Sequence, residues 1–326
     1  MCAIAFASSN SFLGVALETT RGTAAAGTYS YLPIQTPTLT PVRTFLKDDA
    51  MRGSPAMTYD GVQGVWHTEV DAKGYLYADT FPLLAISTLG PDVVSGTYVH
   101  TSKLANAPAT GSQPASLTMK YFDGANAWQV TGSQPADFTI TGGADKALEW
   151  TSKLMGYAWT TPSTPTASFS TIPLIPGWDV TSTINSSSLS YIQDFTLKID
   201  RKTAPIFTQG SASPLVIFTG PCDVTGTLTY VVNTTSDPFA VGGSAYALYR
   251  GPVPFVLVCT DPNTAATTIT FTMTTCQFQT VKRSTTKSYV ESTVEFFATA
   301  NATDALTGYS PIQIATANAV AAYTAS

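Results

Sequence analysis

Strict alternation of apolar and polar side chains dominates the chain. Leu117, Met119 and Tyr121 alternate with Thr118 and Lys120, and Phe195, Leu197 and Ile199 alternate with Thr196, Lys198 and Asp200. The same pattern recurs in Val224, Leu228, Tyr230 and Val232, in Ile269, Phe271 and Met273, and in Val290, Val294 and Phe296. A period of two turns successive side chains to opposite faces of a pleated strand. Each run therefore predicts an antiparallel strand with one face on a core and the other in water. After Met273 the apolar parity moves by one, to Cys276 and Phe278, which predicts a bulge within one long strand.

Helical periodicity is scarce. From about Thr80 to Leu89, Asp79 or Thr80 can cap a helix, Pro82 suits its first turn, and Gly90 followed by Pro91 stops it. A weaker helical signal follows Ser236 and Asp237, with Pro238 near its start and Gly251 at its end. Stretches rich in Pro, Ser and Thr at about 91–115 and 160–190 read as long loops or a linker. The expected class is mainly β: a sandwich or barrel with short flanking helices.

The two halves echo one another. Arg52-Gly53-Ser54 is matched by Gln209-Gly210-Ser211, and Trp66, Thr68 and Val70 by Leu228, Tyr230 and Val232. The Pro82 helix is matched by the Pro238 segment, and Leu148, Glu149 and Trp150 by Val294, Glu295 and Phe296. The order strand, Gly-Ser turn, strand, helix, strand, strand thus repeats. It predicts two similar β domains, residues 1–175 with an N-terminal arm and 176–326 with a C-terminal arm.

Composition changes the picture in one respect. Only 11% of the 326 residues are charged while 44% are hydrophobic, so neighbouring subunits are expected to cover much of the surface. A formal net charge of −5, with no run of Lys and Arg, speaks against a protein that grips nucleic acid. Cys2, Cys222, Cys259 and Cys276 form no Cys-x-x-Cys pair and read as isolated, reduced thiols. MCAIAFASSNSFLG lacks a basic region and breaks its apolar run at Ser8, so no secretory signal is expected. No run reaches the ~18 apolar residues of a membrane span.

Candidate chemistry is sparse. His67 and Glu69 share one side of a strand and could pair or bind a metal, but a third ligand is missing and His100 falls in a predicted loop. Asp48, Asp49 and Asp60 lack the acidic spacing of a calcium loop. Lys47-Asp48-Asp49 reads as a solvated tip or a subunit contact. Gly142-Gly143 and Gly242-Gly243 read as turns, and Trp66, Trp128, Trp150, Trp159 and Trp178 as core or interface packing. No catalytic, cofactor or metal site is expected. The rival reading is a secreted β-sandwich adhesin or carbohydrate-binding module, motivated by the tryptophans and by sequons at Asn185, Asn233 and Asn301.

The opening LGVALETTRGTAAAGTYSYLPIQTPTL resembles the start of the major tail tube proteins of long-tailed bacteriophages. MRGSPAM, the apolar helix FPLLAISTLG, FDGANAWQVTGSQPADFTITGG and the closing TVEFFATA are similar to later parts of that family, in the same order. The resemblance implies tube domains whose sheets join across subunits into a barrel around a lumen, in rings that stack. With two domains per chain it implies a trimer of pseudo-sixfold symmetry, with a hexamer of one-domain subunits as the alternative. It also implies association with a tape-measure protein and other tail proteins, transient passage of DNA without specific binding, no membrane, and a place in the virion tail after assembly in the host cytoplasm. Alternation puts Glu149, Lys153, Asp200, Glu291 and Glu295 opposite the apolar faces, as lumen candidates or outer-surface residues. By resemblance the arm to about Pro33, the loop from Arg43 to Pro55 and the tail after Asn301 are expected to stack rings, with Arg43, Lys47, Asp48, Asp49 and Arg52 as contact candidates.

Overall fold

The computed structural model describes residues 6–35, 37–106, 111–189, 191–233 and 251–325. The first half holds β1 (Phe12–Leu17), β2 (Ser30–Leu32), β3 (Thr38–Asp48), β4 (Asp60–Tyr75), helix α1 (Phe81–Thr88), β5 (Asp92–Ser95), β6 (Val99–Ala105), β7 (Leu117–Phe122), β8 (Ala127–Gly143) and β9 (Glu149–Gly156). The second holds β10 (Val180–Ile184), β11 (Ser187–Leu189), β12 (Ile192–Asp200), β13 (Ala204–Ile206), β14 (Val216–Phe218), β15 (Asp223–Val231), β16 (Val253–Thr260), β17 (Thr268–Ser284), β18 (Glu291–Ala298), β19 (Ala305–Thr307) and β20 (Gln313–Ala317). The chain is mainly β, as the alternation predicts.

Strand neighbours follow one order twice. In the first half the order is β2-β1-β7-β8-β9-β4-β3, and in the second β11-β10-β16-β17-β18-β15-β12, with every adjacent pair antiparallel. The long strands β8 and β17, 17 residues each, serve two ladders of this order apiece and a third outside it. In β8 the register slips between Val130 and Ser133 against β7, and again at Ala136 against β9. In β17 it slips between Met273 and Cys276 against β16, and again at Gln279 against β18. The first of these β17 slips is the bulge predicted from the parity change after Met273. Both irregularities lie 143 positions apart in the two strands (273 − 130 and 279 − 136).

Apolar faces of both strand sets merge into one core that includes Leu13, Met119, Ile140, Leu197, Leu228, Phe271 and Val294. Helix α1 is buried on every side, consistent with a sequence apolar up to Ser87 and Thr88, whose hydroxyls donate to the Leu84 carbonyl, and Phe81 packs on Phe138 and Phe271 at 5.6 and 5.8 Å. Pro82 sits at its start as expected, but Thr80 makes no side-chain capping bond. The halves are joined by β8 against β12, by β20, which bridges β17 to β6, and by a short parallel pairing of β19 with β6.

Several expectations are corrected. The predicted loop at 91–115 contains the β5–β6 hairpin, and the one at 160–190 contains β10 and β11. Apolar side chains in those stretches found partners that Pro and Ser content concealed. The predicted arm to Pro33 holds β1 and β2 within the sheet, and the predicted tail after Asn301 holds β20. The helix proposed after Ser236 falls on residues outside those described.

Candidate assembly surfaces

Eight strands form a continuous ladder, β3-β4-β9-β8-β12-β15-β18-β17. Directly opposed residues point to the same face, so its rows can be followed across the sheet. One row runs Glu149, Thr141, Thr196, Thr227, Glu295, Thr280, and another Asp71, Lys153, Asp137, Asp200, Asp223. Glu291, opposite Val231 and Ser284, lies on that face too. The structure thus brings all five candidates, Glu149, Lys153, Asp200, Glu291 and Glu295, to one polar face. Glu69, Asp71, Asp137, Asp194, Asp223, Lys73, Lys198 and Lys282 share it, giving nine carboxylates against four lysines.

Each of the five candidates is ion-paired. Lys73 Nζ lies 2.9 Å from Glu149, Lys153 Nζ 2.9 Å from Glu69, Lys202 Nζ 2.5 Å from Asp200, Lys287 Nζ 2.6 Å from Glu291 and Lys282 Nζ 3.4 Å from Glu295. Hydrogen bonds from Gln35 and Lys73 hold the Glu149 carboxyl below its usual range. Burial pushes Glu69 up, but donation from Lys153 and His67 outweighs it and leaves the carboxyl lowered; the same pair raises Lys153. Burial likewise pushes Asp200 up, but hydrogen bonds from Lys202 outweigh it and leave that carboxyl lowered.

The β3–β4 hairpin carries the five contact candidates. Arg43, Lys47 and Asp48 are on β3, and Asp49 and Arg52 are in the turn beyond it. Arg52 pairs with Asp48 and stacks 5.1 Å over Tyr59, while Arg43 lies 4.8 Å over Trp66. Sequence reading missed the apolar side chains between these charges: Phe45, Leu46, Met51, Met57 and Val62 are 62–100% exposed. The alternation was broken there, so no core face could be assigned.

Two strand margins complete the surface. Among the described residues no strand pairs with the outer edge of β3, nor with the edge of β17 that lies opposite β18 over residues 277–284. Their counterparts within the chain, β12 and the second part of β8, pair with each other. Phe138, Ile140, Leu197 and Ile199 at that junction are buried, whereas Leu39 and Val281 at the open margins are only half-buried.

The remaining candidates serve packing. His67 Nε2 lies 3.3 Å from Glu69 Oε1, inside the Lys153 cluster. His100 is in β6, not a loop, and is buried: its Nδ1 lies 2.7 Å from Asp92 and its Nε2 2.7 Å from the Val320 carbonyl. Asp48 is engaged by Arg52 and the Ala50 N–H, closing the hairpin turn. Trp150 is buried and Trp128 stacks on Trp159 at 4.3 Å, while Trp178 is exposed, so the five tryptophans form no common platform. Asn301 donates from Nδ2 to Thr275 and Asp304, which brace the β17 bulge. Gly142 is in the β8·β12 ladder opposite Phe195, not in a turn; a Cβ there would sit 2.3 Å from the Phe195 ring. Gly242-Gly243 lies outside the described residues. Cys222, Cys259 and Cys276 are free thiols; burial pushes Cys222 up to about 11 and the other two up to about 12.

Glu18, in the Glu-Thr-Thr motif, is buried at the end of β1. Its carboxylate accepts from Ser116 and Thr118 hydroxyls at 2.6 and 2.8 Å, and from the N–H groups of Gly132 and Gly22 at 2.8 and 2.7 Å. Gly22 and Gly132 have φ of +80° and +63°, and Tyr157 packs against both. The motif therefore has a structural role.

The mainly antiparallel β fold, consistent with a β-sandwich, leaves charged, apolar and hydrogen-bonding groups exposed at its surface. The model of phage tail tube proteins matches residues 8–298. The chain belongs to that family, and so to the components of the virion tail. No curated protein matches the sequence.

Proposed function

We propose that the chain is a ring-forming tube subunit, joined edge to edge with its copies, whose stacked rings make the conduit for DNA ejection. One observation carries this reading. The same strand order occurs twice, the two sets are joined by β8 against β12, and this leaves complementary margins on β17 and β3. In this reading residues 1–175 and 176–326 are two tube domains, the β8·β12 junction is a domain contact, and the chain end repeats it between copies. Closure removes edges that would otherwise pair without control. Three copies supply 24 strands, which at a tilt near 40° close into a barrel about 50 Å across at the backbone. That is the pseudo-sixfold trimer.

The face bearing Glu149, Lys153, Asp200, Glu291 and Glu295 is assigned to the lumen. Its excess of carboxylates repels phosphate, so DNA and the tape-measure protein pass without being held. The β3–β4 hairpin, with Arg43, Lys47, Asp48, Asp49, Arg52 and its apolar side chains, is assigned to contacts between rings. Assembly in the host cytoplasm with other tail proteins completes the reading, which requires no catalytic centre or cofactor. Electron microscopy of the purified chain, alone and with tail initiator proteins, should show rings or tubes. A monodisperse monomer under all these conditions refutes the proposal.

A further inference from the structure

We infer that neighbouring copies pair β17 against β3 in one antiparallel register: Thr280 opposite Val42, Val281 opposite Pro41, Lys282 opposite Thr40 and Ser284 opposite Thr38. The inference rests on the ring reading and specifies its contact. It follows from the internal repeat alone.

The matching irregularities map β8 onto β17 by 143 positions. Leu154 and Phe296 oppose the flanks of the second irregularity, Pro135 and Phe278, so β9 maps onto β18 by 142 (296 − 154). Opposite them lie Val70 and Gly226, 156 apart, and opposite those Leu39 and Leu197, so β3 maps onto β12 by 158 (197 − 39). At the internal junction Thr139 opposes Lys198 and Asp137 opposes Asp200. Moving the β8 member forward by 143 and the β12 member back by 158 yields Lys282 opposite Thr40 and Thr280 opposite Val42.

Backbone chemistry and packing agree. At the junction the Arg201 N–H donates to the carbonyl of the bulge residue Ala136, at 2.9 Å. The same mapping aims the Arg43 N–H at the carbonyl of the bulge residue Gln279. Leu39 and Val281 are half-buried against the ends of the core, where their counterparts Leu197 and Phe138 are enclosed. Pro41, the counterpart of Ile199 on the bonded side of the strand, has no N–H to give, so this contact has one ladder hydrogen bond fewer than the internal junction.

Arg201 and the odd-numbered β12 residues hydrogen-bond to β8, so Thr139–Lys198 is a non-bonded pair. Its counterpart Thr40–Lys282 should then have Cα atoms about 4.5 Å apart, within reach of a disulfide. Inside one chain these positions lie at opposite margins of eight strands, about 34 Å along the sheet, so a bond between them joins two copies.

Assembled Thr40→Cys/Lys282→Cys protein, and independently Val42→Cys/Thr280→Cys protein, should give on mild oxidation multimers that resist SDS and collapse on reduction. Wild type and Thr40→Cys/Thr280→Cys, two residues out of register, should not. On the unmodified chain, amide exchange at Leu39 and Val281 should slow on ring formation. Rings without either cross-link or slowed exchange overturn this register and leave the ring reading standing, as do equal cross-links out of register. If the wild-type chain forms no rings, the reading and the inference fall together.

Discussion

Leu39 and Leu197 occupy equivalent places in the repeat, and their truncation to Ala should separate folding from assembly. Leu197 is fully buried between Ile140 and Gly226, so Leu197→Ala removes its contacts from a closed core. Such truncations cost about 2–5 kcal/mol. For 326 residues the unfolding entropy is about 0.7 kcal/mol/K, so a loss of about 3 kcal/mol lowers Tm by about 4 °C. Leu39 is half-buried in the lone chain, and Leu39→Ala should cost about 1 kcal/mol there, or 1–2 °C. If a neighbour encloses Leu39 as β8 encloses Leu197, the remaining ~2 kcal/mol falls on each subunit contact, about a thirtyfold loss. Differential scanning fluorimetry of dissociated protein and sedimentation across a concentration series measure the two effects. The reasoning is refuted if Leu39→Ala lowers Tm as far as Leu197→Ala, or assembles at the wild-type concentration.

Glu18→Ala strands two hydroxyls and two N–H groups in a buried site and should lower stability by about 3 kcal/mol, read as a fall in urea midpoint. The carboxyls of Glu69, Glu149 and Asp200 are lowered in the folded state, so their contribution is present above the ordinary values of 4.5 and 3.8 and fades as pH falls through the folded ones. Urea midpoints should therefore hold from pH 7 to about 5 and drop toward pH 3, and Lys153→Met should flatten part of that drop. Cys222, Cys259 and Cys276 should resist a thiol reagent at pH 8 in the native protein and react once denaturant exposes them, as thiol counting by absorbance would show.

The period of two determined by itself that the chain is β, which face of each strand is apolar, and that β17 carries a bulge. It also placed α1, because Pro82 and Gly90-Pro91 bound an apolar run. What it could not fix was register. An even slip leaves every side chain on its face, so matching Leu148-Glu149-Trp150 with Val294-Glu295-Phe296 kept the faces right and missed the ladder by four residues. The ladders instead align Glu149 with Glu291. The Gly53 and Gly210 turns were matched at a spacing consistent with the ladders on both sides, because positive φ singles out a position as alternation cannot. Strands inside the predicted loops and arms, and the burial of His100, depend on partners far along the chain, such as β20 and Val320. The same holds for the margins of β3 and β17. An edge is defined by which strand is absent beside it, and only the tertiary structure, by pairing β8 with β12, distinguished the filled edges from the open ones.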